Sequence, residues 1–349
     1  MAWQNVHLLT LDSSFTHLCA MQLKRLTRFG LPIIGILLFG ISIWAISQQL
    51  HQYTIQDILH SLKTTAIRHL LLASGLTVLS YLVLTGYDIL ACIYINHPLP
   101  YRKIVLAAAT SYAVSNAVGF ALFTSSAIRY RLYRLWDLTA VEIAQIIAFT
   151  NLSFWLGLSA VGGALFTIEP LAIPELLHLP FSSVRPLGIL LLVLVITYLL
   201  GCLWLRGSLR ISSRRFSLPT ADVALAQIII SSIDWALAVG VLYVLLPPTT
   251  HLSYPAFFGI YLLGQIAGLI SYVPGGLGVF ETVMLLLLSP SIPVTKIFAA
   301  LILYRFIYYF LPLGISVILL GFYELKQRRS PSRKKSKIKT QNSKLSSHR

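Results

Sequence analysis

The chain has 349 residues, 56% of them hydrophobic and only 11% charged, and its 27 Lys+Arg against 11 Asp+Glu give a formal charge of +16. A soluble domain carries about 25% charged residues, so the composition excludes a water-soluble two-domain enzyme and points to an integral membrane protein. The basic excess does not signal nucleic-acid binding, which needs a basic folded surface in water; here the bases sit between apolar runs and in one tail.

In chain order, the first 22 residues lack the basic, apolar and small-residue succession of a cleaved signal, and residues 1–28 are expected to be a cytoplasmic N-terminal segment. Residues 29–325 are expected to form one membrane domain. Its nearly uncharged runs predict full spans at Phe29–Ser47, Leu70–Ile95, Val141–Phe166, Leu187–Leu205, Val223–Leu246 and Ile297–Phe322. Two further apolar segments are different in kind. In Ile104–Ala127, 14 of the 21 residues from Ala107 to Ala127 are Ala, Gly, Ser or Thr, which suits packing against other helices better than facing lipid. Ala256–Leu288 is interrupted by Pro274-Gly275-Gly276-Leu277-Gly278, which cannot continue a helix. Residues 326–349 are polar, with ten Lys/Arg and no acid, and read as a disordered basic cytoplasmic tail that touches anionic lipid head groups. Cys19, Cys92 and Cys202 show neither disulfide nor zinc spacing.

The basic residues orient these segments. If Ile104–Ala127 enters and leaves on one side, 22 Lys/Arg fall on one face, tail included, and only Lys63, Arg68, Arg185 and Lys296 on the other, with Arg305 inside a span. That is the asymmetry of the positive-inside rule, and both termini are then cytoplasmic. The second broken segment gives the same sidedness whether it is re-entrant or crosses twice. The expected fold is an all-α polytopic membrane protein, with about six full transmembrane helices plus two re-entrant or broken helical hairpins arranged as an inverted repeat. Its units are Leu70–Phe166 and Val223–Phe322, and the hairpin tips are expected to meet and build a substrate site.

With only 11 acids, each can be placed singly. Asp12, Asp57, Asp137, Glu169 and Glu175 read as loop or N-terminal residues, and Glu142, Asp222 and Glu324 as span flanks. Asp88, Asp234 and Glu281 are deep. A carboxylate at a span centre costs roughly 2.5–3.5 kcal/mol on insertion scales, so it faces a bundle interior or wet cavity and has a partner. Glu281 can equally cap the helix starting after Gly278. Arg305 could pair with Glu281 or Asp234, or bind a phosphate itself. Arg131 and Arg134 suit a positive-inside anchor; Arg129 lies next to Thr124-Ser125-Ser126, where hydroxyls plus a guanidinium suit a phosphate head group, although topology alone would also place a base there. The backbone groups freed at Pro274, Gly275, Gly276 and Gly278 need a partner, from protein or ligand.

SYVPGGLGVFE, with Asp88 in TGYD and the hairpin exit AIRYRLY, resembles the lysylphosphatidylglycerol synthase transmembrane family, the flippase half of the multiple peptide resistance factor. The resemblance covers about residues 29–325 and implies a bacterial cytoplasmic (inner) membrane protein handling phospholipid. In full-length members the cargo is aminoacylated phosphatidylglycerol. The contexts of Asp88 and Arg129 match charged positions implicated in that half; Asp234 matches more loosely. A C-terminal aminoacyl-transfer domain is not expected after Phe322, so the chain reads as transporter-like and not an enzyme.

The function expected is therefore a lipid flippase or scramblase. Arg129 or Arg305 would hold the phosphate, and Asp88, Asp234 or Glu281 any head-group amine. The alternative is a non-transporting membrane assembly partner of a lipid or envelope enzyme. No catalytic residue, metal or cofactor is expected, and no nucleic-acid partner; the expected partners are the phospholipid and anionic head groups, with a homo-oligomer left open. No nucleotide-binding GxxxxGK[ST] motif occurs.

Overall fold

The structure, a computed structural model, describes Trp44 and residues 55–118, 121–169, 183–204, 208–211, 214–248 and 252–328. The predicted segment 1–28, the span Phe29–Ser47 apart from Trp44, and the tail beyond Arg328 lie outside the described residues. Of the helices whose bounds lie among the described residues, the first is short, α1 (Ile55–Lys63). Asp57 therefore lies in the first turn of a helix and not in a loop, because nine residues are too few for their periodicity to stand out in the sequence. The long helices α2 (Ile67–Tyr94), α5 (Ala140–Ile168), α6 (Arg185–Trp204) and α7 (Ala221–Leu245) follow the predicted spans within a few residues. So does the last helical stretch, α10 (Val294–Tyr304), a π-helical turn (Arg305–Phe310) and α11 (Leu311–Arg328). Among the described residues, five helical stretches are long and apolar enough to cross a membrane. The Arg-rich connection after α6 carries a two-stranded antiparallel ribbon, β1 (Ser208–Ile211) and β2 (Arg214–Ser217), which nothing in the sequence announced.

Ile104–Ala127 folds back on itself as α3 (Tyr101–Val118) and α4 (Ala121–Arg134). Its two ends lie together: the Lys103 ammonium sits 5.4 Å from the Trp136 ring, and Trp136 in turn donates to Tyr323 Oη at 2.7 Å. The second broken segment is α8 (Tyr254–Ile270), a tight turn at Pro274–Gly276, and α9 (Val279–Leu288). Ten residues rise about 15 Å, half of a roughly 30 Å hydrocarbon core, so α9 by itself is too short to cross one. Leu252 before it and Ile292 after it line one cleft with His69 and Tyr243. The first hairpin thus opens at the end of the molecule that holds Trp136 and Tyr323, the second at the end that holds His69.

At the centre α2 packs on α7. Leu76 approaches Gly240, Ser80 and Tyr87 bond Asp234, and Ile230 lies against Gly86. Numbers rise on one helix as they fall on the other, so the two are antiparallel. The units that they open are α2–α5 and α7–α11. Exchanging α2 with α7, α3 with α8, α4 with α9, and α5 with the α10–α11 stretch maps the packing pairs onto one another: α2 on α3 becomes α7 on α8, and α5 on α8 becomes α11 on α3. One apolar core joins α7 through α10 with parts of α2 and α5, and a second joins α2, α3, α4 and α5. In contrast, α6 buries only Gly188, Val195 and Cys202, which suits a helix on the lipid-facing periphery.

Candidate functional site

The three deep carboxylates occupy three different environments, each fixed by its helix. Asp88 comes from the C-terminal half of α2 and is fully buried against Arg129 of α4, itself 1% exposed. The guanidinium donates side-on, Nε to Oδ1 at 2.9 Å and Nη2 to Oδ2 at 2.8 Å. Tyr133 Oη adds a donation to Oδ1 at 2.7 Å, and Arg129 Nη1 bonds Ser125 one turn earlier on the same helix. The Tyr112 ring of α3 covers the guanidinium at 4.6 Å. A bidentate pair with this many additional donors is the geometry that a buried ion pair requires to offset its desolvation. Arg129 is thus not at the surface, as an interfacial anchor would be; Arg131 is, 70% exposed and paired with Glu324 at 2.6 Å.

Glu281 sits in the third position of α9, beyond the glycine break. Gly275, Gly276 and Gly278 have φ of 62°, 60° and 80°, the left-handed region that glycine enters without steric cost. Glu281 Oε2 accepts from Gly278 N at 2.7 Å and so caps the helix start. Its Oε1 accepts from Arg305 Nε at 2.7 Å, while Arg305 Nη1 donates to Gly275 O at 3.0 Å. Arg305 and Glu281 thereby take up two of the backbone groups that the break frees. The guanidinium also lies 4.7 Å from the Tyr309 ring. This pair is a little open, with side chains 13% and 11% exposed.

Asp234 has neither arginine. Its Oδ1 accepts from Ser80 Oγ at 2.9 Å and its Oδ2 from Tyr87 Oη at 3.1 Å, both on α2. Ser80 gives its single proton to the carboxylate, so the Tyr308 hydroxyl, 3.1 Å from Ser80 Oγ, is the donor to it. Among the described residues no Lys, Arg or His lies within 4.0 Å of Asp234.

The break and the first hairpin tip meet. A methyl group added at Gly275 would lie 3.9 Å from the carbonyl oxygens of Asn116 and Ala117, near the end of α3, and 4.0 Å from Arg305 Nη1. Gly276 packs on Gly268 so closely that an added methyl would stand 3.2 Å from its Cα. The structure thus brings Asp88 to Arg129 and Glu281 to Arg305, sets the second pair where the tips touch, and leaves Asp234 among hydroxyls. Sequence reasoning missed those hydroxyls, Ser80, Tyr87 and Tyr308, and the π turn that carries Arg305 and Tyr308. The aromatic run YRFIYYF was the one visible signal. Among the described residues no group of three His, Cys, Asp or Glu could hold a metal ion.

Comparison with known proteins adds the family. A family model described as the lysylphosphatidylglycerol synthase TM region matches residues 33–316. An uncharacterized protein of Synechocystis sp. is 48% identical over 313 residues, covering 90% of this chain and 97% of that one. The inner membrane protein YbhN of Escherichia coli is 34% identical over 255 residues, 71% of this chain and 78% of that one. A phosphatidylglycerol lysyltransferase of Staphylococcus aureus is 25% identical over 245 residues, which are 70% of this chain but only 28% of that enzyme.

Proposed function

Because the chain belongs to the family of the lysylphosphatidylglycerol synthase transmembrane region, we propose that it moves a phospholipid between the two leaflets of a bacterial cytoplasmic membrane, with its N- and C-termini in the cytoplasm. The observation that carries this reading is the contact of two helical hairpins, opening at opposite ends of the molecule, at Gly275 against Asn116 and Ala117, beside the Arg305–Glu281 pair. Irregular backbone and charges at membrane depth are kept where protein buries and pairs them or where they line a path for something polar, and the second use suits a site at which two hairpins meet. The antiparallel α2 and α7 and the exchangeable packing of their units support an inverted repeat, an architecture in which one half rocks against the other around a central site.

In this mechanism the acyl chains stay in lipid and only the head group passes between the tips. Arg305, and Arg129 once uncovered, exchange a carboxylate for the lipid phosphate, a bidentate oxyanion of similar shape. The released Glu281 or Asp88 then faces any amine on the head group. The hydroxyls of Ser111 and Tyr112, buried without a hydrogen-bond partner among the described residues, add donors on α3, and Tyr112 is the residue that covers Arg129. Phosphatidylglycerol, plain or aminoacylated, fits this arrangement of one base and one acid per station.

The test is transfer of head-group-labelled phosphatidylglycerol in proteoliposomes holding the purified chain. Replacing both members of a pair avoids stranding a buried charge. The double variant Glu281→Gln/Arg305→Gln, still monodisperse, is expected to slow transfer by roughly an order of magnitude. Parent protein that moves no lipid, but purifies with a stoichiometric protein partner, would instead favour an assembly role.

A further inference from the structure

The two ion pairs leave one deep carboxylate without a charge partner, and its surroundings are specific. Asp234 is 7% exposed, and each of its oxygens accepts one hydrogen bond, from Ser80 and from Tyr87. A hydrated metal ion or an ammonium group needs space and several acceptors around it, whereas a proton needs only the lone pair that each oxygen still has. We propose that Asp234 is a proton-carrying site, loaded and unloaded through the hydroxyls of Ser80 and Tyr308, and that it couples lipid transfer to a proton gradient. The coupling rests on the lipid-transfer reading above; the proton site itself does not.

The chemistry balances as a relay of proton hops, with hydroxyl rotations to reset the chain. With Asp234 ionised, Tyr308 donates to Ser80 and Ser80 donates to Oδ1. A proton that Tyr308 Oη takes from water on one side sends the Tyr308 proton to Ser80 Oγ and the Ser80 proton to Oδ1. Oδ1 then donates to Ser80 and Ser80 to Tyr308 Oη, whose new proton points back to the water, and rotation of both hydroxyls resets the chain once Oδ1 has lost its proton. The same three oxygens at 2.9 and 3.1 Å serve both charge states. Release to water on the other side restores the first arrangement.

The titratable groups facing Asp234 are Tyr81 and Tyr87 of α2, Tyr112 of α3 and Tyr308 of the π turn. Asp88 of α2 is taken by Arg129, and Arg305 by Glu281. Helix α8 carries no charged residue, and the charges of α5, α6 and α10, namely Glu142, Arg185 and Lys296, lie in their first turns. Tyr308 follows Arg305 by three residues in one π turn, so rocking that separates Arg305 from the hairpin break also pulls on the hydroxyl chain.

Two measurements test this. Infrared difference spectra of the purified chain in nanodiscs, taken as pH falls, are expected to show a protonated-carboxyl C=O band that is missing from Asp234→Asn and displaced in Ser80→Ala. The same titrating bands in parent and Asp234→Asn would overturn the site, whether or not lipid moves. In proteoliposomes with the membrane potential clamped to zero, one proton per lipid shifts the steady-state leaflet ratio of labelled phosphatidylglycerol about tenfold per pH unit. Asp234→Asn should abolish that shift. Transfer by the parent that ignores the pH gradient, or follows a sodium gradient instead, would overturn the coupling. No transfer under any gradient would count against the lipid reading while the infrared result still decides the proton site.

Discussion

At the scale of single residues, the membrane makes each charge a choice between a partner and a path. Asp88 and Arg129 show how completely a partner can be supplied, since both carboxylate oxygens and the guanidinium edge are used. Removing one side strands the other, which costs about 3–5 kcal/mol in a buried pair. Arg129→Ala is therefore expected to lower the unfolding midpoint in detergent sharply, and Asp88→Leu combined with Arg129→Met to recover most of the loss. If the double variant were no more stable than Arg129→Ala, the pair would not be the reason for the instability. Arg129→Lys should fall between the parent and Arg129→Ala, because an ammonium keeps the counter-charge but cannot span Oδ1 and Oδ2 as Nε and Nη2 do. The carboxylates were legible from the sequence because so few acids occur in it. Their partners were not: which of three acids an arginine 24 residues from one and 71 from another would meet depends on how the hairpins fold back.

At the scale of elements, caps and breaks decide where helices start in a chain whose apolar runs nearly merge. Thr139 and Glu142 form a reciprocal capping box at the start of α5, with Glu142 Oε2 accepting from Thr139 N at 2.7 Å and His97 alongside at 2.9 Å. Thr139→Ala is expected to cost about 1 kcal/mol. The break after α8 is held by backbone conformations that L side chains avoid, so Gly276→Ala should cost about 1–2 kcal/mol, with the close approach to Gly268 adding to it. Leu277→Ala, at an exposed position of the same turn, is the control that should change unfolding little. Equal midpoints for the two variants would show that the turn is not under this constraint. The glycine-rich run announced the break because its composition is incompatible with a continued helix. The π turn at Arg305–Phe310, which packs on α2 and α3 and reaches the break through Arg305, gave no such notice in its composition, since its residues are ordinary helix or strand formers.

At the scale of the whole molecule, Lys103 and Arg131 lie at one end of the described structure and Lys296 at the other. Lys103, Arg131, Trp136, Tyr323 and Glu324 are linked at one end, whereas Lys296 bonds Thr64 at the other, at 2.7 Å. With the basic-rich end in the cytoplasm, a single cysteine at Lys296 should react with a membrane-impermeant maleimide on intact cells. One at Glu324 should react only after lysis; the reverse pattern would invert the topology. The overall architecture was readable from charge asymmetry and from two anomalous segments. The meeting of their tips was an expectation that only the packing of Gly275 on Asn116 and Ala117 gives physical form. That contact is also where the account is most exposed. In a variant whose native cysteines are replaced, Asn116→Cys and Leu277→Cys can be joined by a short reducible bifunctional thiol reagent, and transfer of labelled phosphatidylglycerol measured before and after reduction. Joined tips are expected to stop transfer, and reduction to restore it; transfer at the unjoined rate with the tips still linked would contradict the proposed mechanism.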